Sequence, residues 1–255
     1  MVRSMEGRMF KIGNVRFLVA EDEGLKKELY KLRYKIYVEE FGFEKAEDHP
    51  GGYECDMYDP HSIHFVGIDE DTGQTIATMR IILNSEVGLP VEHVEEVFFK
   101  GDKAIVDKII EVSRFAVHKD YRRRKEDILF RGVSVEKGRF ERRSVTRKTP
   151  DRRQRPVIVY GLFRLLYQTT KRLGITHWCM ISEKFLFEAL SHMGFLFYPI
   201  GREQDYHGLR TPYIAFIDEM EDYWIEEKPD FILFLAEGLE EKYWPKNELF
   251  QELME

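Results

Sequence analysis

The sequence predicts a mixed α/β (α+β) fold: a central sheet flanked by helices, with a helical extension at the C-terminal end. Three observations carry this prediction. Apolar residues at helical spacing alternate along the chain with short runs of β-branched and aromatic character. Two early strand-like runs are joined by a turn, whereas a long apolar helix separates the two that follow. The 255 residues are 43% hydrophobic, ample for the core of one domain spanning 1–255, and no internal repeat divides them.

Taken in order, residues 24–41 place Leu25, Leu29, Leu32, Ile36 and Tyr37 at helical spacing with charges between them, an amphipathic helix. His64–Asp69 and Thr75–Leu83 read as strands around the turn DEDTGQ, a hairpin. Ile109–Val117 is a third strand. Pro156 stands where a helix can start, and VIVYGLFRLLYQTTKRLG is apolar all round with Lys171, Arg172 and Gly174 at its end, which predicts a mostly buried helix. ITHWCMIS follows as a strand, KFLFEALSHMG as a short helix closed by Gly194, and FLFYPIG and PYIAFID as two more strands. Residues 218–255 mix acids and aromatics at helical spacing, an extension expected to pack back on the domain or on a second subunit.

Charge is unevenly spread. Between Lys119 and Arg155, 15 Lys or Arg stand against 6 Asp or Glu, a local +9, so with −7 overall the remainder carries −16. Few aliphatics and no sustained period make 119–155 a basic insertion, expected to be mobile. A nucleic-acid binder could use such a segment, but it lacks interleaved aromatics and the rest of the protein is acidic, so no nucleic-acid partner is expected. No apolar run approaches the roughly 20 residues that cross a bilayer, and the first residues lack the apolar core of a secretory signal, which makes the cytoplasm the default address. Cys55 and Cys179 lie far apart and outside any C-x-x-C pair, so both read as reduced thiols.

Chemistry concentrates in IIEVSRFAVHKDYRRRKED, residues 109–127, where an apolar strand carries Glu111 and Arg114 and runs into a cationic turn. A strand, a cationic turn and then a helix suit an acyl-thioester transferase, because phosphopantetheine phosphates favour backbone N–H groups and a helix N-terminus assisted by cations. Arg122, Arg123 and Arg124 are the candidate pantetheine- and phosphate-binding cations; the competing reading is a solvated, charged turn.

EVSRFAV is similar to the strand motif of acyl-homoserine-lactone synthases, within the Gcn5-related N-acyltransferase (GNAT) fold. LRYKIYVEEFGFE resembles their Arg-x-x-x-Phe helix motif with a further aromatic, here Arg33, Tyr37 and Phe43; YECDMYD supplies Asp56 and Asp59, and TMRII supplies Arg80. This resemblance covers roughly Leu25 to Gly201. VSRFAVHKDYRRRKED, KRLGITHWCMISEKFLFEALSHMGFLFYPIG and YHGLRTPYIAFIDEM look closer to the PEP-CTERM/exosortase-associated acyltransferases, and extend the match to about residue 235. Phe43 stands where the lactone synthases usually carry tryptophan, Tyr37 where they carry phenylalanine, and the basic insertion and the tail are additions. S-adenosylmethionine as acceptor and lactone formation are therefore not carried over.

The resemblance implies a GNAT-like central sheet in which the strand bearing SRFAV bulges and splays from ITHWCMIS, so that the pantetheine arm inserts like an extra strand. It implies an N-acyltransferase moving a fatty acyl group from acyl-carrier protein or acyl-coenzyme A to a small amino-acid-like amine, with no permanently bound cofactor. Holding amine and thioester in line can supply roughly 7 to 11 kcal/mol of barrier reduction. A backbone N–H near Phe115 to Val117 is the candidate oxyanion donor, worth about 3 to 4 kcal/mol by analogy. Glu111 is either the base that deprotonates the acceptor ammonium or a carboxylate held by Arg114 or Arg33 to position the N-terminal segment. Arg33, Asp56, Asp59 and Arg80 form either an alternating network over the acceptor pocket or surface ion pairs under about 1 kcal/mol each. Tyr37, Phe43, Phe115, Val117 and Ser182 complete the candidate substrate-binding set.

Lys and Arg on the basic segment favour an acidic carrier protein as donor. His49, Asp56, Asp59, His61 and His64 match no fixed metal spacing, so no metal is expected. Phe163, Tyr167, Trp178, Phe185, Phe187, Phe195 and Phe197 read as core, some of them as walls of an acyl tunnel.

Overall fold

A computed structural model describes residues 9–93, 107–121, 154–205 and 208–254. The order is β1 (Met9–Ile12), β2 (Val15–Val19), α1 (Glu23–Arg33), β3 (Ser62–Asp69), β4 (Thr75–Leu83), β5 (Ile109–Val117), α2 (Gln154–Leu173), β6 (His177–Ser182), α3 (Lys184–Met193), β7 (Tyr198–Pro199), β8 (Gln204–Asp205), β9 (Leu209–Phe216), α4 (Ile217–Glu227), α5 (Pro229–Ala236) and α6 (Glu248–Met254). The strands make one sheet in the order β1-β2-β3-β4-β5-β6-β9-β7, with β8 on β9. Every described pairing is antiparallel except β5 with β6, which are parallel, as a strand–helix–strand connection through α2 requires.

The β3–β4 hairpin and the strand Ile109–Val117 lie where the patterning puts them, with β3 longer by two residues at its start. The amphipathic segment 24–41 divides. Its first part is the α-helix α1, capped by the Asp22 side chain accepting from the Leu25 N–H, and Tyr34–Glu40 continues as a π-helix. Hydrophobic spacing does not separate 3.6 from wider turns, and π-turns concentrate at functional sites. FLFYPIG is a strand only at Tyr198–Pro199, because Phe195 and Phe197 are buried in the core instead of pairing along an edge. PYIAFID starts earlier, at Leu209, and stops at Phe216, where Ile217 begins α4. β1 and β2 form a hairpin that the sequence reading missed, although Phe10, Ile12, Val15, Phe17 and Val19 alternate around the two-residue turn Gly13-Asn14.

Two glycines place these elements. A Cβ at Gly161 would collide with the Phe17 ring, so α2 lies directly on β2 only because that residue is glycine. Gly194 ends α3 in the left-handed region at φ 93°. The main core joins the sheet to α2 and to the C-terminal helices, through Trp178, Tyr167, Phe195, Trp224, Phe231 and Ile232. The tail thus packs on its own chain; Tyr167 Oη donates to Glu221 Oε1 at 2.7 Å, and the Gln168 side-chain amide donates to the Leu235 carbonyl at 3.0 Å. No described helix is long and apolar enough to cross a membrane.

Candidate active site

β5 and β6 pair only through Ile109–Glu111 against His177–Cys179, although β5 runs on to Val117 and β6 to Ser182. Beyond Glu111 the two strands part. β5 stays on β4 but bulges there. Arg80 faces Ser113 and Thr78 faces Ala116, so Met79 alone opposes both Arg114 and Phe115. Arg114 sits at φ 48°, the one described non-glycine residue in the left-handed region. The resemblance implied a bulge in the strand bearing SRFAV; it lies at Arg114 and Phe115, and the left-handed backbone at Arg114 brings that side chain into the lining of the same cavity as Glu111.

The cavity, of about 340 Å³, occupies the gap. Its charged end has Glu44, Glu54, Asp56, Arg80, Glu111 and Arg114; its apolar end has Met79, Phe163, Met180, Leu186, Leu190 and Phe197.

The charged end is part of a closed network that extends behind the wall to Arg33 and Asp59. Arg33, fully buried, donates from Nε to Glu54 and from both terminal nitrogens to Asp59 at 2.7 and 3.2 Å. Arg80 donates from Nη1 to Asp56 at 2.6 Å and to Asp59 at 2.7 Å, and from Nε to Ser113 Oγ at 3.0 Å. Arg114 donates from Nε to Glu54 at 3.0 Å and from Nη2 to Glu44 at 3.0 Å and Asp56 at 3.2 Å. The Asp56 N–H reaches Asp59 at 2.7 Å. Burial alone would raise the Glu54 carboxyl, but Arg33 and Arg114 outweigh it and hold the pKa at about 2. Arg33 and Arg80 likewise overcome burial at Asp59 and keep it below the usual carboxylate range. These are interior ion pairs, not the weak surface ones.

Glu111 stands apart. It is 2% exposed, and its Oε2 accepts from the Val91 N–H at 2.7 Å. Neither Arg114 nor Arg33 holds it, contrary to the positioning alternative, because both guanidinium groups bond the other carboxylates. Burial raises its pKa to about 8, against the lowering by the Val91 N–H and by the more distant Arg80 and Arg114.

The other expected residues fall at graded distances. Tyr37 lines the cavity and its hydroxyl donates to the Phe115 carbonyl at the bulge, 2.9 Å away; Arg114 lies over the Tyr37 ring. Phe115 and Ser182 also line it, and the Ser182 hydroxyl donates to the Glu183 carbonyl at 3.2 Å. Arg33 and Asp59 stand behind the wall. Phe43 stacks on Phe41 and lies under Arg210, outside the lining, and Val117 pairs with Ala77 beyond the cavity. Arg122, Arg123 and Arg124 and almost all of the basic insertion lie outside the described residues. Sequence reasoning missed Glu54 and Glu44. Glu54 was legible as the acid two residues before Asp56 in YECDMYD, whereas nothing local marks Glu44. Among the described residues no group of three or more His, Cys, Asp or Glu converges as a metal site.

Residues 32–130 match the family model described as acetyltransferase (GNAT) domain. No curated protein sequence matches at a significant level. Solved structures do. TofI, in a ternary complex with an inhibitor and MTA, is 16% identical with a TM-score of 0.53, covering 89% of this chain and 99% of its own. FeeM, an N-acyl amino acid synthase from uncultured soil microbes, is 13% identical with a TM-score of 0.53, covering 82% and 94%. BjaI, a CoA-dependent acyl-homoserine lactone synthase with SAM and isopentyl-CoA, is 15% identical with a TM-score of 0.51, covering 89% and 90%. At these identities the likeness is one of fold: the chain has the GNAT-type mixed α/β fold that these synthases share, and its match to the GNAT domain spans the charged network, β5 and the bulge.

Proposed function

We propose that the protein is an N-acyltransferase that moves a fatty acyl group from an acyl thioester to the amine of a small, amino-acid-like acceptor, as autoinducer synthases do. One observation carries the reading: a single cavity, opened where β5 and β6 part, joins a buried carboxyl of raised proton affinity at one end to an apolar end. The thioester lies in the gap with its acyl chain toward Phe163. The acceptor enters at the charged end, its ammonium beside Asp56 and Glu44. Ionised Glu111 takes one proton from the ammonium; the amine attacks the carbonyl carbon, and a backbone N–H beside the bulge meets the developing oxyanion. As the C–S bond breaks, the nitrogen's second proton passes to the departing thiolate, leaving amide and thiol, after which Glu111 returns its proton to solvent.

BjaI is described as CoA-dependent, which makes acyl-coenzyme A the first donor to test; acyl-carrier protein remains the alternative that the basic insertion favours. Arg122, Arg123 and Arg124 are the proposed phosphate-binding cations, and the resemblance to exosortase-associated acyltransferases belongs to the same proposal. No permanently bound cofactor is part of it.

Purified protein incubated with acyl-coenzyme A or acyl-carrier protein of graded chain length and a mixture of amino acids is expected to release thiol and form an N-acyl product by mass spectrometry. The Glu111→Gln protein is expected to form it roughly 10²- to 10⁴-fold more slowly. Absence of product and of thiol release with every donor overturns the reading.

A further inference from the structure

We propose that Phe163 is the stop that sets the acyl chain length of the site, and that the C-terminal helices hold it there. The inference rests on the acyltransferase reading for the meaning of the apolar end, but not for its geometry. Phe163, on α2, lines the cavity and is 4% exposed. Toward the bulge its ring lies 6.3 Å from that of Phe115. On its other side the Phe195 ring is 4.4 Å away, 1% exposed and not part of the lining.

Phe195 is in turn gripped by the extension. Its ring lies 5.3 Å from Trp224 on α4 and 5.8 Å from Phe231 on α5, which are 5.4 Å from each other. Trp224 Nε1 donates to the Gly194 carbonyl at 2.7 Å, fixing the turn that delivers Phe195. On the side of Phe195, therefore, the cavity ends at the Phe163 ring. That ring cannot swing aside, because a close-packed interior leaves Phe195 no room to yield. Removing the ring opens a space of at most on the order of 150 Å³, room for a few methylenes, and each buried methylene is worth roughly fourfold in binding.

The test is the affinity of the full chain for saturated acyl-coenzyme A donors from four to sixteen carbons, by calorimetry, beside turnover of the same series. Phe163→Ala is expected to move the preferred length up by at least two carbons, and Phe163→Trp to move it down. Phe231→Leu, at a residue that does not line the cavity, is expected to move it up by less. An unchanged length profile in Phe163→Ala, or in Phe163→Leu should the alanine protein not fold, overturns the proposal, as does a uniform loss at all lengths. A shifted binding profile without turnover would uphold the stop while refuting acyl transfer.

Discussion

In and behind the wall of one cavity stand two sets of buried carboxyl groups whose proton affinities end shifted in opposite directions, although burial raises all of them. Glu54 and Asp59 share the guanidinium groups of Arg33, Arg80 and Arg114, and stay ionised far below neutral pH although burial opposes it. Glu111, in the wall of the same cavity yet with no direct bond from an arginine, accepts from one backbone N–H, and burial takes its pKa to about 8. Residue type and burial are nearly the same; the number of charged partners differs. A carboxylate whose lone pairs are filled by cations is a brace, whereas one left with a single neutral donor can exchange a proton near neutrality.

The largest effect that would break this contrast lies in the brace. Arg33→Ala leaves Glu54 and Asp59 buried without their shared cation, and removing one partner of a buried pair costs about 3–5 kcal/mol. We expect denaturant titration to show a loss of that order, or a protein that does not fold. A loss under 1 kcal/mol would show that the network is wetter and weaker than its geometry implies.

Next comes Glu111→Gln. Loss of a general base lowers turnover by roughly 10²- to 10⁴-fold, while the amide keeps the contact with the Val91 N–H. In the parent protein kcat/KM should rise with pH through about 8, as the carboxyl ionises. Stability moves the other way. A carboxyl whose folded pKa exceeds its unfolded value binds its proton more tightly when folded, so its stabilising effect is present at low pH and is lost between about 4.5 and 8. Glu54 has the reverse sign: its contribution is present above about 4.5 and is lost as pH falls toward 2. Thermal melts across pH should thus show Glu111→Gln gaining on the parent above pH 7 and no such gain below pH 5. Equal gains at both ends would remove the assigned pKa.

Much of this was legible in the sequence, for identifiable reasons. The β3–β4 hairpin, β5 and α2 are long segments of clear period, Glu111 and Arg114 are charges in an otherwise apolar strand, and Arg33, Asp56, Asp59 and Arg80 were singled out by the resemblance to the lactone-synthase motifs. The register was not legible. Whether Arg114 faces Glu111 depends on one left-handed backbone angle, which arginine's intrinsic preference argues against, and whether Glu111 is held by an arginine depends on competition from Glu54, which three-dimensional proximity alone reveals. The short β7 escaped because aromatic residues suit a strand and a core equally well.

The smallest expected effect probes the joint between the two sets. Tyr37 rises from the π-helical segment to donate its hydroxyl to the Phe115 carbonyl, while its ring underlies Arg114. Burial raises the hydroxyl pKa, so it remains a donor throughout the working range. Tyr37→Phe keeps the ring under Arg114 and deletes only the bond to the bulge, a change worth about 1 kcal/mol. Turnover is expected to fall severalfold through looser placement of the backbone near Phe115, with the pH dependence unchanged, because Glu111 still governs the proton. If Tyr37→Phe instead lowers turnover as far as Glu111→Gln and abolishes the rise through pH 8, the hydroxyl belongs to the proton path, and the division between a braced network and one reactive carboxyl fails at the residue that links them.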